Sequence, residues 1–184
     1  MSMAASPPVS RPATALGTII VMGVSGCGKS SVGSALARQL GCAFIEGDDL
    51  HPQCNVEKMS RGVALDDADR RPWLDALGQR IAFHAGSSVV LSCSAMRRVY
   101  RDRLRRSTHG PIAFVFLHGS RHALQARLEQ RRGHYMPVQL LHSQLATLEL
   151  PTCEPDVIAI DIEQSIESAV TSVLSMLASR SPPV

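Results

Sequence analysis

The chain has 184 residues, 45% of them hydrophobic and 4% aromatic, with a formal net charge of +3. That length suits one domain with an aliphatic core, and the near balance of charge argues against a general nucleic-acid or membrane-surface binder. The five cysteines (Cys27, Cys42, Cys54, Cys93 and Cys153) are scattered and contain no CxxC pair, which speaks against a disulfide framework or zinc site and for a reducing cytoplasm.

The opening stretch, MSMAASPPVSRPATALG, is rich in Ala, Ser and Pro and lacks the continuous apolar segment of a secretory signal. Arg11 without any acid leaves a transit peptide open, but the stretch reads as a tail over residues 1–17. TIIVMG then predicts a buried strand. KSSVGSALARQL predicts a helix with Val32, Leu36 and Leu40 on one face and Gly41 as its stop. CAFIEGD reads as a second strand. A helix follows between Asp66 and His84, with Trp73, Leu77 and Ile81 at core spacing. SSVVLSCSA is a third strand, and MRRVYRDRLRR a helix with Met96, Tyr100 and Leu104 on one face. IAFVFLHG is a fourth strand, followed by a helix carrying Leu124 and Leu128 and another over about Val138 to Leu148. DVIAIDI is a fifth strand, and the last helix carries Ile166, Val170, Val173, Leu174 and Leu177. Residues 180–184 read as a second tail. No apolar run approaches the ~20 residues needed to span a bilayer. Strands that are apolar throughout, alternating with helices, predict an α/β fold: a five-stranded, mainly parallel sheet covered on both faces, over residues 18–179. Binding residues of such sheets gather at the carboxyl ends of the strands.

GVSGCGKS, between the first strand and first helix, matches G-x-x-x-x-G-K-[ST] at Gly23, Gly28, Lys29 and Ser30. Glycines let the chain curl until successive N–H groups point inward, and the adjoining helix adds its free N–H groups and the positive end of its dipole. The loop, Gly23, Val24, Ser25, Gly26, Cys27, Gly28, Lys29, Ser30 and Ser31, is therefore expected to hold the phosphates of ATP. Lys29 reaches the β- and γ-phosphates, and the Ser30 hydroxyl ligates Mg²⁺. Cys27 reads as a small residue that fits the loop, with a reactive thiol as the other reading.

EGDDLHP comes after the second strand. Glu46 and Asp48, two apart at a strand end, are expected on one face. A carboxylate here can accept a proton from an acceptor hydroxyl or hold Mg²⁺ through water. The third strand ends in LSCSA, with Cys93 where a switch-type NTPase places an aspartate. That points to a small kinase rather than a mechanical ATPase. Arg97, Arg101 and Arg105 form a helical stripe; Arg101 is a candidate partner for an anionic acceptor, while Arg105 and Arg106 read as a solvated face. Arg127, Arg131 and Arg132 are candidates for a mobile lid that neutralises charge on the transferred phosphoryl group. An RNA-binding reading of the same arginines is weakened by the shortage of aromatics to stack bases.

Assembled in order, MGVSGCGKSSVGSALA, GDDLHPQCNVEKMSRGVALDDADRRPWL, LSCSAMRRVYRDRLR and RRGHYMPVQLLHSQLATLELP closely resemble the gluconokinases, the small P-loop type related to shikimate and nucleoside monophosphate kinases. The resemblance covers about Thr18 to Ala178. It implies a three-layer P-loop kinase fold with a lid, transfer of the ATP γ-phosphoryl group to the 6-hydroxyl of D-gluconate, and a homodimer. On the matching positions it implies Asp48 as base or Mg²⁺-linked carboxylate, His51, Lys58, Arg70 and Arg101 around the sugar acid, and Arg127, Arg131, Arg132 and His134 in the lid, with Lys29, Asp48 and Arg132 catalytic. Asp49 stands where the family often has an apolar residue, so the choice of base between Asp48 and Asp49 stays open. A kinase for another small sugar acid or for shikimate, and a non-catalytic nucleotide sensor, are the alternative readings.

Overall fold

The computed structural model describes residues 16–130 and 138–180, the side chains of 138–140 excepted. Its centre is a parallel sheet in the order β2-β3-β1-β4-β5, formed by Ala43–Glu46, Val89–Cys93, Thr18–Met22, Ile112–His118 and Val157–Asp161. All four ladders are parallel. Every residue of β1 is buried, and its neighbours face opposite ways. Ile19 and Val21 join one core with Leu36, Val170 and Val173, under α1 (Lys29–Leu40) and α7 (Ile166–Arg180). Ile20 and Met22 join the other with Trp73, Leu77 and Leu104, under α3 (Asp67–Phe83) and α4 (Arg98–Arg106). The remaining helices are α2 (Gln53–Ser60), α5 (Arg121–Gln130) and α6 (Val138–Thr147).

Helix ends reflect local chemistry. Gly41 closes α1 in the left-handed conformation, donating to the carbonyls of Ala37 and Arg38. Asp66 caps α3 in a reciprocal box: its carboxylate accepts the Asp69 N–H at 2.8 Å, and the Asp69 carboxylate accepts the Asp66 N–H at 3.1 Å. This start sets the phase of α3, and with it the direction of Arg70 and Trp73.

Two elements were not visible in the hydrophobic pattern. Gly47–Leu50 form a 3₁₀ turn, and α2 begins after Pro52 with a mostly polar sequence, QCNVEKMS. Its inward residues are Asn55 and Met59, and a buried Asn leaves no apolar period to detect. The expected lid residues Arg131, Arg132 and His134, and both tails apart from Leu16, Gly17 and Arg180, lie outside the described residues.

Candidate active site

The phosphate loop leaves the carboxyl end of the central strand β1. Gly26 takes φ +84°, and a Cβ there would sit 2.9 Å from the Leu128 side chain and 3.0 Å from the Leu124 carbonyl oxygen, so any larger residue is excluded. Gly28 caps α1 in the left-handed conformation. The first helical bond runs from the Val32 N–H to the Gly28 carbonyl, which leaves the N–H groups of Gly28, Lys29, Ser30 and Ser31 without an intrahelical partner. Gly26 N–H likewise has no partner among the described residues. No acidic residue occupies the first turn of α1, so nothing there offsets its positive end. Lys29 lies folded over the loop, its Nζ donating to the Val24 carbonyl at 3.2 Å. Beside it, Arg127 approaches Gly28 and donates through Nη2 to the Ile162 carbonyl. A hollow of about 90 Å³ opens there between the loop and the β5–α7 turn. Cys27 is buried, and burial pushes its thiol above the ordinary value despite the nearby Lys29. The thiolate is the reactive form, so burial favours the small-residue reading of Cys27 over the reactive-thiol one.

Across the loop, β2 stops at Glu46 and the 3₁₀ turn begins. A Cβ on Gly47 would lie 2.0 Å from the Ser92 carbonyl oxygen, so only glycine fits against β3. Gly47 N–H donates to the Ser92 hydroxyl at 3.0 Å, and that hydroxyl donates to Glu46. Glu46 is thereby turned onto β3. The expectation that Glu46 and Asp48 share a face is corrected, because strand alternation ends at Glu46 and the tighter 3₁₀ turn redirects the side chains of Gly47–Leu50. Asp48 lines a cleft with Ser25 and Lys29 of the loop. Asp49 is exposed and does not line it.

His51, Arg70 and Trp73 face the same cleft. The Trp73 indole donates to the Gly47 carbonyl at 2.7 Å, and the His51 ring stacks on it at 4.2 Å. Asn55 is buried and donates from Nδ2 to the Asp69 carbonyl at 2.8 Å and to His51 Nδ1 at 3.4 Å. Because that amide nitrogen can only donate, Nδ1 accepts and the imidazole proton sits on Nε2. Burial lowers His51 from 6.5 to about 4, with Asp48 pulling upward and Arg70 pushing further down. At neutral pH His51 is therefore an uncharged donor. Arg70 is held by the Leu65 carbonyl at 2.5 Å and lies over the Tyr100 ring.

The structure thus brings Lys29, Asp48, His51 and Arg70 together, with Ser30 in the first turn of α1 behind the loop. It does not bring in Arg101 or Lys58. Arg101 is 1% exposed. Its Nε and Nη2 donate to Glu154, and its Nη1 donates to the carbonyls of Ala95 and Met96. The guanidinium is fully committed inside the protein, which corrects its placement at the acceptor. The whole stripe turns the same way: Arg97 pairs with Glu149 at 3.2 Å and Arg105 with Asp156 at 2.7 Å. Arg105 is accordingly no solvated residue, and α4 is clamped to the 149–156 segment. Lys58 donates to both oxygens of Asp69, at 2.7 and 2.8 Å, and stays outside the lining of the cleft.

Asn55, Ser92, Gln144 and Glu154 are structural parts of this region that sequence reasoning missed. Gln144, on α6, accepts the Ser25 N–H at 2.7 Å. Each is a polar residue with at least one partner remote in sequence, so no local spacing marks the whole set of contacts.

A family model described as an AAA domain matches residues 19–151. The gluconokinase of Gluconobacter oxydans is 50% identical over 150 residues, covering 79% of this chain and 83% of that protein. The thermoresistant gluconokinase of Escherichia coli is 42% identical over 161 residues, covering 86% and 91%.

The chain belongs to the gluconokinase family.

A gluconokinase crystal structure from Sinorhizobium meliloti superposes with a TM-score of 0.82 at 53% identity, covering 89% of this chain and 92% of that one. The three-layer P-loop kinase fold expected from the sequence is thereby confirmed, as is the resemblance carried by HPQCNVEKM, DDADRRPWL and CSAMRRVYRD. The structure gives those gluconokinase-family blocks their physical meaning. Asp66 and Asp69 start α3, Trp73 braces His51 and Gly47, and Arg101 anchors α4.

Proposed function

We propose that the protein transfers the γ-phosphoryl group of ATP to the 6-hydroxyl of D-gluconate, giving 6-phospho-D-gluconate and ADP. The observation that carries this is one cleft in which Asp48 lies with Lys29 of the phosphate loop, Arg70 and His51. On binding, Lys29 leaves the Val24 carbonyl for the β- and γ-phosphates, and the unpaired N–H groups of Gly26, Gly28, Lys29, Ser30 and Ser31 hold the remaining oxygens. The nucleoside extends toward the hollow beside Arg127.

Asp48 accepts the proton of the 6-hydroxyl as its oxygen attacks phosphorus, and the bond to the ADP oxygen breaks. Arg70 offers a planar fork to the sugar-acid carboxylate. His51 donates its Nε2 proton to a hydroxyl oxygen. The family resemblance assigns Arg132, with Arg131 and His134, to offsetting charge on the moving phosphoryl group. The Ser30 hydroxyl and the Asp48 carboxylate are hard oxygen donors that suit Mg²⁺, which keeps most of its shell from phosphate and water. Among the described residues no group of three or more His, Cys, Asp or Glu could hold a metal ion. When bound, Mg²⁺ neutralises triphosphate charge.

The family resemblance also leads us to infer a homodimer working in the cytoplasm. Among the described residues no helix is long and apolar enough to cross a membrane, and Cys27, Cys42, Cys54, Cys93 and Cys153 are all unbridged. Light scattering on the purified chain tests the dimer.

ADP release, measured by a coupled assay with D-gluconate, shikimate and nucleoside monophosphates in turn, tests the reaction. Stimulation by gluconate above the others is expected. Stimulation by shikimate instead moves the acceptor. ATP binding without turnover on any of them overturns the kinase reading.

A further inference from the structure

The residues that line the acceptor cleft come from the phosphate loop, the β2–α3 region and the end of β3, with one exception. Gln144 reaches in from α6, beyond β4. Its side chain is oriented by chemistry: Ser25 N–H can only donate, so the amide oxygen faces the loop, at 2.7 Å. The amide nitrogen must then point the other way. Its two N–H donors have no partner among the described residues.

The base under Gln144 is firm. One turn before it on α6, Leu141 is fully buried in the core. Just after the helix, Glu149 ties its end to α4, accepting the Arg98 N–H at 2.6 Å and donating its own N–H to the Met96 carbonyl at 2.9 Å. Gln144 is thus hooked to the loop at one end, fixed from below, and left with unused neutral donors at the cleft. The cleft otherwise presents cations, one carboxylate, the His51 donor and the hydroxyls of Ser25 and Ser94.

We propose that Gln144 is a specificity-determining residue for the acceptor, donating from Nε2 to the C5 hydroxyl oxygen of the sugar acid. The reacting C6 end must meet the phosphates at the loop. Gln144 is tethered to that same loop, and the nearest secondary hydroxyl to C6 is at C5. The assignment rests on gluconate being the acceptor.

The test compares wild type, Gln144→Met and Gln144→Glu on D-gluconate, 5-deoxy-D-gluconate and 2-deoxy-D-gluconate, with ATP binding measured separately in the absence of acceptor. Loss of one neutral hydrogen bond to substrate is about tenfold in kcat/KM. Wild type should lose about tenfold on removal of the C5 hydroxyl. Gln144→Met should lose about tenfold on gluconate, lose nothing further on the 5-deoxy compound, and keep the wild-type response to the 2-deoxy compound. ATP affinity should stay within about threefold of wild type. Gln144→Glu keeps an acceptor for Ser25 but not the donors, and should not recover wild-type kcat/KM. Full recovery in Gln144→Glu, an undiminished 5-deoxy penalty in Gln144→Met, or ATP affinity that falls in step with gluconate kcat/KM each overturns the assignment and leaves Gln144 as a prop for the loop. A wild-type protein that does not phosphorylate gluconate overturns the proposed function, and this assignment with it.

Discussion

The imidazole of His51 lies flat on the indole of Trp73, with centroids 4.2 Å apart and planes 11° from parallel. Trp73 in turn holds the Gly47 carbonyl, so one residue of α3 sets both the turn that carries Asp48 and the ring beside it. Burial keeps His51 neutral, lowering it from 6.5 to about 4 against the upward pull of Asp48 and with a further push down from Arg70. Between those values the unfolded chain binds a proton that the folded one does not. The stabilisation is therefore full above about pH 6.5 and declines as pH falls toward 4, by at most about 3 kcal/mol. Thermal melts of wild type and His51→Gln at pH 5 and 7.5 check this. The variant should lose part of the pH dependence; equal dependence in both proteins would mean that the fold does not lower the pKa of His51.

Lys29 carries the charge that the loop backbone lacks. Its Nζ sits on the Val24 carbonyl, a contact that is readily exchanged for phosphate. Lys29→Met should lower kcat by about 10²–10³-fold, the scale of losing one donor to transition-state charge, with an unchanged melting temperature in the absence of ATP. Near-normal turnover would remove Lys29 from the chemistry.

Asp48 and Asp49 are adjacent in sequence and separate in space. Asp48 lines the cleft with Lys29; Asp49 is exposed outside it. Asp48→Asn should cut kcat by about 10²–10⁴-fold, the range for a general base, and should change ATP affinity far less. Asp49→Asn should stay within about threefold of wild type on both counts. The reverse order in single-turnover rates would move the base to Asp49.

The phosphate loop, the five strands and their parallel arrangement were readable because each has a local signature: glycine spacing, an unbroken apolar run, or a helical period. The 3₁₀ turn and α2 were not. Asp48 enters the cleft because Gly47 packs against the Ser92 carbonyl and forces the turn, and that contact joins residues 45 apart. The arginine stripe of α4 was legible as a stripe, but its destination was not. Glu149, Glu154 and Asp156 lie in a loop whose path over α4 no sequence period encodes.

Arg101 and Glu154 are the strongest case of that hidden pairing. Their side chains are 1% and 5% exposed, and they meet at 2.5 Å. Burial works against charge on Glu154, but hydrogen bonds from Arg101 and Arg105 outweigh it and hold its carboxyl below the ordinary value. Removing one partner strands the other charge in the interior, at a cost of about 3–5 kcal/mol. Arg105 also reaches Glu154, at 2.5 Å, which places Arg101→Met at the lower end of that range. Urea denaturation should show the loss for Arg101→Met, and the paired change Arg101→Met with Glu154→Leu should recover much of it, because two apolar groups leave no charge unmatched. The KM for gluconate of the folded single variant should stay within about threefold of wild type. A variant of normal stability with a strongly raised KM would put Arg101 back at the acceptor.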